Sequence, residues 1–250
     1  MTYLLAGLLT FPITTALTIA GVGAAFVLIP VYTSLGIDLH QAMALALLLN
    51  ALAMISALFR YVRNRLVLWK LGIPLIITIT IGAPLGVKLS YAIDSNIIRI
   101  VFICFLLFAA VMIFTSKSRT EDTTEDFKMT GPKIALGGGA GLLIGMLAGL
   151  IGVGGGNIVL PILLATGIKP REAVGTTAVI VVFSSSSGFI GHLGMGSIDG
   201  VLVVVSATAA IVGAVVGSWL MTDKLNPKTI KKILGFVLIA FAFKMTINLL

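Results

Sequence analysis

The sequence predicts an all-α polytopic membrane protein built from two inverted-topology repeats. Each repeat is expected to contain one glycine-broken segment, re-entrant or hairpin-shaped, and about three spanning helices. Hydrophobic residues make up 58% of the 250 residues and charged residues only 10%, and the mean hydropathy of +1.15 is far above that of a soluble domain. Two further observations, a duplicated glycine motif and an exchange of basic loops between the halves, define the repeats.

The duplicated motif interrupts two long apolar stretches. It reads Gly-Val-Gly-Gly-Gly-Asn-Ile-Val-Leu-Pro over 152–161 and Gly-Val-Gly-Ala-Ala-Phe-Val-Leu-Ile-Pro over 21–30. Non-helical backbone at membrane depth is tolerated only where protein buries it or where it lines a cavity. Paired breaks in matching places therefore point to a transporter's substrate site. The alternative is that the glycines only permit close helix packing.

The correspondence between the halves continues beyond the motif at one constant offset. In chain order, the positions Gly36, Ala42, Ser56, Gly82 and Gly86 match Gly167, Ala173, Ser187, Gly213 and Gly217.

The first repeat is assigned to residues 1–115. It contains the broken segment 3–35, which is longer than the roughly 20 residues needed to cross a membrane once, and spans at 39–59, about 66–93 and about 97–115.

A polar stretch at 116–132 is assigned as a cytoplasmic linker, and residues 133–250 form the second repeat. Its broken segment covers 133–166 and is followed by a span at 171–191 and a short turn at 192–199. One span then ends near Met221 and the last begins near Lys228, which gives about eight apolar units in all.

Basic residues change loops between the two halves. The loop after the second apolar unit of the first half carries Arg60, Arg63 and Arg65, whereas the matching loop at 192–199 has no Lys or Arg. In the second half the flanking loops are the basic ones. Because positively charged loops face the cytoplasm, the two repeats are expected to insert upside down relative to each other, in a multi-pass arrangement in the cell (inner) membrane.

The candidate substrate site consists of the two helix starts that follow the breaks. A helix N-terminus presents unpaired N–H groups and a partial positive charge, which favour an anion without a charged side chain. Two buried amides, Asn50 and Asn157, are the side chains expected to contribute, because an unpaired amide is costly in an apolar setting. The backbone donors are assigned to Gly23, Ala24, Ala25, Gly154, Gly155 and Gly156.

A run of four serines at 184–187 lies at the same predicted depth. Four consecutive residues point all around a helix, so only some can face one cavity, and Ser184 and Ser187 are taken as candidates. Bonding of the hydroxyls to their own helix or to a neighbour is the alternative. His192 is read as a loop histidine, with a proton role as the functional alternative.

Several functions are disfavoured. All nine acidic residues fall in loops or at span ends, so no mid-membrane carboxylate is available to bind a coupling cation. The single Cys104 and two histidines offer no metal-ligand spacing, and no nucleotide-binding loop is present. The net charge is +8, and the basic residues lie in short loops between apolar spans. In such loops they indicate membrane topology and not a nucleic-acid-binding surface. Neither a cofactor nor catalysis is expected.

These motifs resemble the TauE/SafE family of membrane transporters, also called sulfite exporters. The resemblance rests on the glycine motif and its degenerate first copy, the Ser-Ser-Gly run at 186–188, His192, and the turn Gly-Ser-Ile-Asp at 196–199. It implies transport of a small sulfur-containing anion such as sulfite, a sulfonate or sulfoacetate. The sequence departs from the second copy at Ala24 and Ala25, where Gly155 and Gly156 stand in that copy.

The resemblance and the absence of buried carboxylates favour a secondary transporter that moves an anion along the membrane potential, with export as the expected direction. An anion channel, or a membrane subunit that works with a soluble sulfur-metabolising partner, is the alternative. The lipid bilayer and the small anion are the expected partners, and the oligomeric state is left open.

Overall fold

The computed structural model describes most of both halves. The described residues are 2–94, 96–98, 100, 101, 103, 104, 107, 111, 131–165, 168–192, 199–226, 229, 232, 236 and 243. Most of the predicted linker at 116–132 and of the spans at 97–115 and after Lys228 therefore lies outside the described residues.

Every element in the described part of the chain is helical. The first half contributes α1 (Thr2–Ile19), α2 (Ala25–Ser34), α3 (Leu39–Arg63) and α4 (Trp69–Ser90). The second half contributes α5 (Gly131–Ile151), α6 (Gly156–Ala165), α7 (Pro170–His192) and α8 (Gly200–Trp219), which a short π-helical turn, Leu220–Lys224, extends. Both expected breaks are present, between α1 and α2 and between α5 and α6.

Four of these helices are long and apolar enough to cross a membrane, namely Leu39–Arg63, Trp69–Ser90, Pro170–His192 and Gly200–Lys224. The apolar helices of the broken segments, Tyr3–Ile19, Ala25–Ser34 and Gly139–Ile151, are shorter. The chain is thus a multi-pass helical membrane protein.

The starts of α3 and α8 are fixed by aspartate caps. Asp38 accepts hydrogen bonds from the backbone N–H of His40 and Gln41, and Asp199 does the same for Val201 and Leu202. Each carboxylate pairs N–H groups that the first helical turn leaves without an acceptor. The hydroxyl of Tyr3 also donates to Asp199 at 2.7 Å, and this bond together with the capped N–H groups holds the pKa of Asp199 below its usual value.

Helices α1 and α3 both run in the same direction as α8. Near the start of α1, Gly7 faces Val205 of α8, and Gly217 near the end of α8 faces Thr15 and Thr18 of α1. At the end of α3, the Arg60 guanidinium bonds to Asp223, just beyond α8, at 3.0 Å.

Helices α4 and α5 also run side by side in one direction, because Gly82 packs on Leu142 and Gly145 while Gly86, one turn later, packs on Met146. A Cβ at either glycine would collide with the backbone of α5, so the absence of a side chain permits this approach.

The contacts between the halves are reciprocal at an offset of 131 residues. Gly21 of the first break packs on Val174 of α7, and its counterpart Gly152 packs on Met43 of α3, which is itself the counterpart of Val174. The same offset relates two packed helix pairs. Helix α4 corresponds to α8 and α5 corresponds to α1, and α4 packs on α5 as α8 packs on α1.

The interior is formed by α2, α3 and α7. Every residue of α2 from Ala25 to Tyr32 is buried. The apolar windows of α3 and α7 are 67% and 72% buried, against 33% for α4 and for α8, which places the latter two at the periphery. One exposed stripe of α4 repeats every four residues and suits contact with lipid: Ile73, Ile77, Ile81, Leu85 and Leu89.

The bundle has two chemically different ends. We call one of them the basic end. There the N–H of Leu68 donates to Thr176 Oγ1 at 2.9 Å, and Arg171 donates to the carbonyl of Leu225 at 3.1 Å. The basic side chains of this end are Arg60, Arg63, Arg65, Lys70, Lys169, Arg171 and Lys224. The opposite end, which we call the histidine end, carries Asp38, His40, Tyr91, Asp94, His192 and Asp199.

Candidate functional site

The two breaks adopt the same backbone turn. Gly21 and Gly23 have φ of +70° and +73°, and Gly152 and Gly154 have φ of +76° and +72°. This left-handed region is readily open to glycine and rarely to other residues. The glycines are therefore required by the turn itself, which ends one helix and starts the next within five residues.

The breaks approach each other inside the bundle. A Cβ built on Gly156 would lie 3.3 Å from the carbonyl oxygen of Val22 in the other break. Both breaks also pack on the long interior helices, since Gly23 faces Asn50 of α3 and Gly154 faces Ser185 of α7.

Asn50 lies between the two breaks. A Cβ on Gly23 would overlap its carboxamide, and a Cβ on Gly154 would lie 3.3 Å from its Nδ2. The side chain is fully buried, and Nδ2 donates to the hydroxyl oxygen of Ser185 at 2.9 Å. Its Oδ1 has no hydrogen-bond partner among the described residues. Asn50 is thus a buried amide with unused hydrogen-bonding capacity where both breaks meet.

Ser184 caps the second break. Its hydroxyl accepts a hydrogen bond from the backbone N–H of Gly155 at 2.9 Å and donates to the carbonyl of Val181 at 3.3 Å. The N–H of Gly155, expected to be a free donor, is therefore already paired, and an anion would have to compete with Ser184 for it.

The first break lacks such a cap. Ala24 precedes α2 and makes no side-chain capping hydrogen bond, and the N–H groups of Val27 and Leu28 donate to the carbonyl of Ala24. The earlier N–H groups, such as that of Ala25, have no intrahelical acceptor. Ala24 and Ala25 are 1% and 0% exposed, so these donors lie at an interior helix start.

Two of the predicted backbone positions are closely packed by side chains. A Cβ on Gly155 would lie 2.7 Å from Cγ2 of Ile79, and one on Gly156 would meet the side chains of Val181 and Thr177. These glycines allow α6 to approach α4 and α7, so the packing role that the sequence left open applies to them. The side chain of Asn157 lies outside the described residues, and its backbone belongs to the first turn of α6.

The four serines divide as their helical spacing requires. Ser184 and Ser185 are buried against the second break, whereas Ser187 is half-buried and donates to the carbonyl of Thr80 in α4 at 2.6 Å. The structure therefore brings Ser184 to the breaks and directs Ser187 to a neighbouring helix.

Two residues near the breaks were absent from the predicted set. Ser185 accepts a hydrogen bond from the amide of Asn50. Thr177 is fully buried beside Gly156, and its Oγ1 has no partner within the described ranges. Both sit in the polar stretch of α7, but the rotation of that helix, which sequence spacing does not fix, decides which hydroxyls face the breaks.

His192 is the last residue of α7 and is only 4% exposed, so it belongs to the buried helix end, whereas the sequence suggested a loop. It lies at the histidine end and does not contact the breaks.

The electrostatics of the helices favour an anion over a cation. Among helices α1 to α8 only α7 contains an acidic residue, Glu172, in its first turn at the basic end, and Asp223 lies in the π-helical turn at the same end. Among the described residues no group of three or more His, Cys, Asp or Glu side chains could hold a metal ion.

Comparison with known proteins identifies the family. The family model described as "Sulfite exporter TauE/SafE" matches residues 3–245. The chain belongs to the TauE/SafE family. TauE/SafE proteins and the relatives found here are membrane transporters and not enzymes.

Curated relatives agree with the family match. The chain is 24% identical over 245 residues to the probable membrane transporter protein YunE of Bacillus subtilis, covering 89% of each chain. It is 25% identical over 234 residues to the probable membrane transporter protein MJ0441 of Methanocaldococcus jannaschii, covering 87% of this chain and 85% of that protein. A shorter match, 38% over 76 residues, links it to the Sulfite exporter TauE/SafE family protein 1 of Arabidopsis thaliana, covering 30% of this chain and 17% of that protein. No solved structure matches.

Proposed function

We propose that this TauE/SafE transporter is a secondary carrier of the cell membrane that exports small sulfur-containing anions such as sulfite, sulfonates and sulfoacetate. The substrate binds at mid-membrane between the two glycine breaks. The description of the family and the names of its plant members, which refer to sulfite export, support this substrate class.

The position of Asn50 is the observation that carries the proposal. Its carboxamide is fully buried, lies against both Gly23 and Gly154, and uses one recorded hydrogen bond, to Ser185. An amide nitrogen has two N–H donors, so one N–H remains for a ligand. Hydrogen bonds to a charged acceptor are stronger than those between neutral groups, so an oxyanion is well served by this donor.

The helix starts add to the amide. Helix α2 begins two residues after Gly23 with buried and uncapped N–H groups, and α6 begins two residues after Gly154. Both N-termini carry partial positive charge toward the region of Asn50. With no carboxylate in the middle of the described helices, this region attracts an anion without a balancing cation.

The inverted relation of the two repeats is part of this proposal. The reciprocal contacts of Gly21 with Val174 and of Gly152 with Met43 support a two-fold relation between the halves. Helices α1 and α3 run in the same direction, from the histidine end toward the basic end. Helix α2, which lies between them in the chain, must therefore return to the histidine end, and this supports a hairpin for the first broken segment. Helices α5 and α7 both start at the basic end, which supports the same arrangement in the second half.

The basic end is proposed to face the cytoplasm. Seven Lys and Arg residues lie there, whereas the helix caps Asp38 and Asp199 lie at the opposite end. An inside-negative potential then favours anion exit by about 2.3 kcal/mol per charge for each 100 mV. Export can thus be driven by the potential alone at the central site.

Purified protein in liposomes tests this function. An imposed potassium diffusion potential should drive saturable flux of sulfite and methanesulfonate, and the direction of flux should reverse with the sign of the potential. Flux that rises linearly with anion concentration would instead indicate a channel. Absence of flux for every sulfur oxyanion tested, with folded protein in the membrane, would contradict the proposed substrate class.

A further inference from the structure

The histidine end contains an aromatic cluster formed by His40, Tyr91 and His192. The rings of His40 and Tyr91 stack with centroids 4.3 Å apart and planes at 20°, and the ring of His192 lies 5.8 Å from Tyr91 at 59°. These are the only two histidines of the chain. They come from the start of α3 and the end of α7, and Tyr91 directly follows α4.

Each of the three side chains has a buried polar atom that makes no hydrogen bond with the described residues. Within the described part of the chain, Nδ1 of His40, the hydroxyl of Tyr91 and Nε2 of His192 make no hydrogen bond. His192 as a whole is only 4% exposed. Buried polar atoms in folded proteins are nearly always paired, so three unpaired atoms in one cluster indicate a place for a polar ligand.

The hydrogen bonding of His192 determines what its free nitrogen offers. Nδ1 lies 2.9 Å from the carbonyl oxygen of Gly188, which only accepts, so Nδ1 carries the hydrogen. The neutral ring therefore has a bare lone pair at Nε2. Nε2 becomes a donor only when the ring takes up a second proton.

We propose that His40, Tyr91 and His192 form a second oxyanion-binding site at the histidine end, which holds a small sulfur oxyanion together with one proton. The proton is taken from solution by Nε2 of His192, and the anion accepts hydrogen bonds from this N–H and from the Tyr91 hydroxyl. When the anion leaves, the proton returns to solution. The ligand class rests on the proposed function.

The charges around the cluster explain why the anion must bind together with a proton. Asp38, the acidic residue nearest to His40 in the chain, accepts through Oδ1 from the N–H of His40 at 2.9 Å and of Gln41 at 3.4 Å, and its negative charge also acts on Tyr91. At the end of α4, Lys88 and Asp94 are exposed to the exterior. Beside the negative charge of Asp38, two imidazoles and a phenol suit an oxyanion that binds when His192 carries a second proton.

The site lies at the end proposed to face outward, so it would hold the exported anion after it leaves the central site. Its occupancy should rise as the external pH falls, because the anion binds the protonated ring. The central site, formed by an amide and backbone N–H groups, contains no group that titrates in this range.

Histidine-selective ¹⁵N NMR of the full chain in lipid nanodiscs tests the proposal, because only two imidazoles contribute signals. The His40→Gln variant keeps only the signals of His192 and thereby assigns the imidazole signals to the two histidines. The probe is methanesulfonate, whose charge stays constant between about pH 5 and pH 8, the range in which histidine titrates. We expect neutral His192 to carry its proton on Nδ1. Methanesulfonate should move its half-protonation point upward by roughly 0.5 to 1 pH unit, about a 3- to 10-fold change in proton affinity.

Two variants separate this site from the central one. Asn50→Leu should keep the upward shift, whereas Tyr91→Phe, which retains the stacked ring and lacks the hydroxyl, should reduce it. A half-protonation point that ignores methanesulfonate, or a response to Zn²⁺ alone, overturns the proposal. A normal response of His192 in protein that transports no sulfur oxyanion would support this site and reject the proposed function.

Discussion

Replacement of Asn50 by leucine removes the amide that lies between the two breaks while nearly keeping its size. The variant loses the 2.9 Å bond from Nδ2 to Ser185 and the unpaired Oδ1. The leucine leaves the buried hydroxyl of Ser185 without its amide donor, which costs about 1 to 3 kcal/mol, but it also removes the unpaired Oδ1, which offsets part of that cost. We therefore expect the free energy of unfolding to fall by about 1 to 2 kcal/mol.

The effect on substrate binding should be separate from this loss of stability. The amide is expected to donate one hydrogen bond to a charged acceptor, and such bonds contribute about 1.5 to 3 kcal/mol. Each loss of about 1.4 kcal/mol in binding free energy weakens binding tenfold, so the KM for sulfite should rise roughly 10- to 150-fold.

The assay is initial-rate uptake of sulfite and methanesulfonate into proteoliposomes under a fixed potassium diffusion potential, with thermal unfolding of the same preparations. Ser187→Ala is the matched control. It removes a hydroxyl from α7 at a similar depth, but one that bonds to the carbonyl of Thr80 in α4. Its KM should remain within about twofold of the wild type, since no substrate contact is lost.

Two results would refute the reasoning. If Asn50→Leu transports with an unchanged KM, the amide does not bind the substrate. If it loses transport only in proportion to a loss of folded protein, Asn50 is a packing residue and its place between the breaks has no bearing on the anion.

The remaining predictions concern topology and packing. In a background without the native cysteine, single cysteines at the exposed positions Asn64 and Asn96 should react with impermeant reagents from opposite faces of the membrane; labelling from one face would contradict the assignment of the two ends. Gly86→Ala should destabilise the protein by about 1 to 3 kcal/mol, because its Cβ would meet the backbone of α5 at Met146. Gly139→Ala, where no atom lies within 4 Å of the added Cβ, is the control and should leave the unfolding temperature nearly unchanged.

The breaks and the long helices were predictable from the sequence, because glycine pairs and apolar runs are local signals. Helices α3 and α7 begin and end within a few residues of the predicted spans at 39–59 and 171–191. The burial of Asn50 was also predictable, since the residue lies in the middle of an apolar span, and its role in binding an anion is a prediction.

The partners of these residues were not predictable, because they depend on helix rotation and on the contacts between the halves. The sequence could not rank Ser185 above Ser187, since α7 lies between α3 and α4 and only the packed structure decides which serine faces each neighbour. The expectation of free N–H groups at Gly155 missed Ser184, which is 29 residues away.

The aromatic cluster at the histidine end could not be predicted from the internal repeat. The counterparts of His40 and His192 at the repeat offset are Arg171 and Tyr61, so the internal alignment pairs unlike residues there. A usable signal existed nonetheless. The two histidines of the chain fall at span ends that the charge pattern assigns to the same side of the membrane.

The central claim is that the two glycine breaks converge on Asn50 to bind an anion, and an experimental structure with selenite, a heavier analogue of sulfite, tests it most directly. Anomalous scattering locates the selenium without reference to the protein density. We expect one peak between Gly23 and Gly154, with a selenite oxygen within hydrogen-bond distance of Asn50 Nδ2, and loss of that peak in Asn50→Leu. A peak elsewhere in the membrane-spanning region, in protein that transports selenite, would contradict the claim.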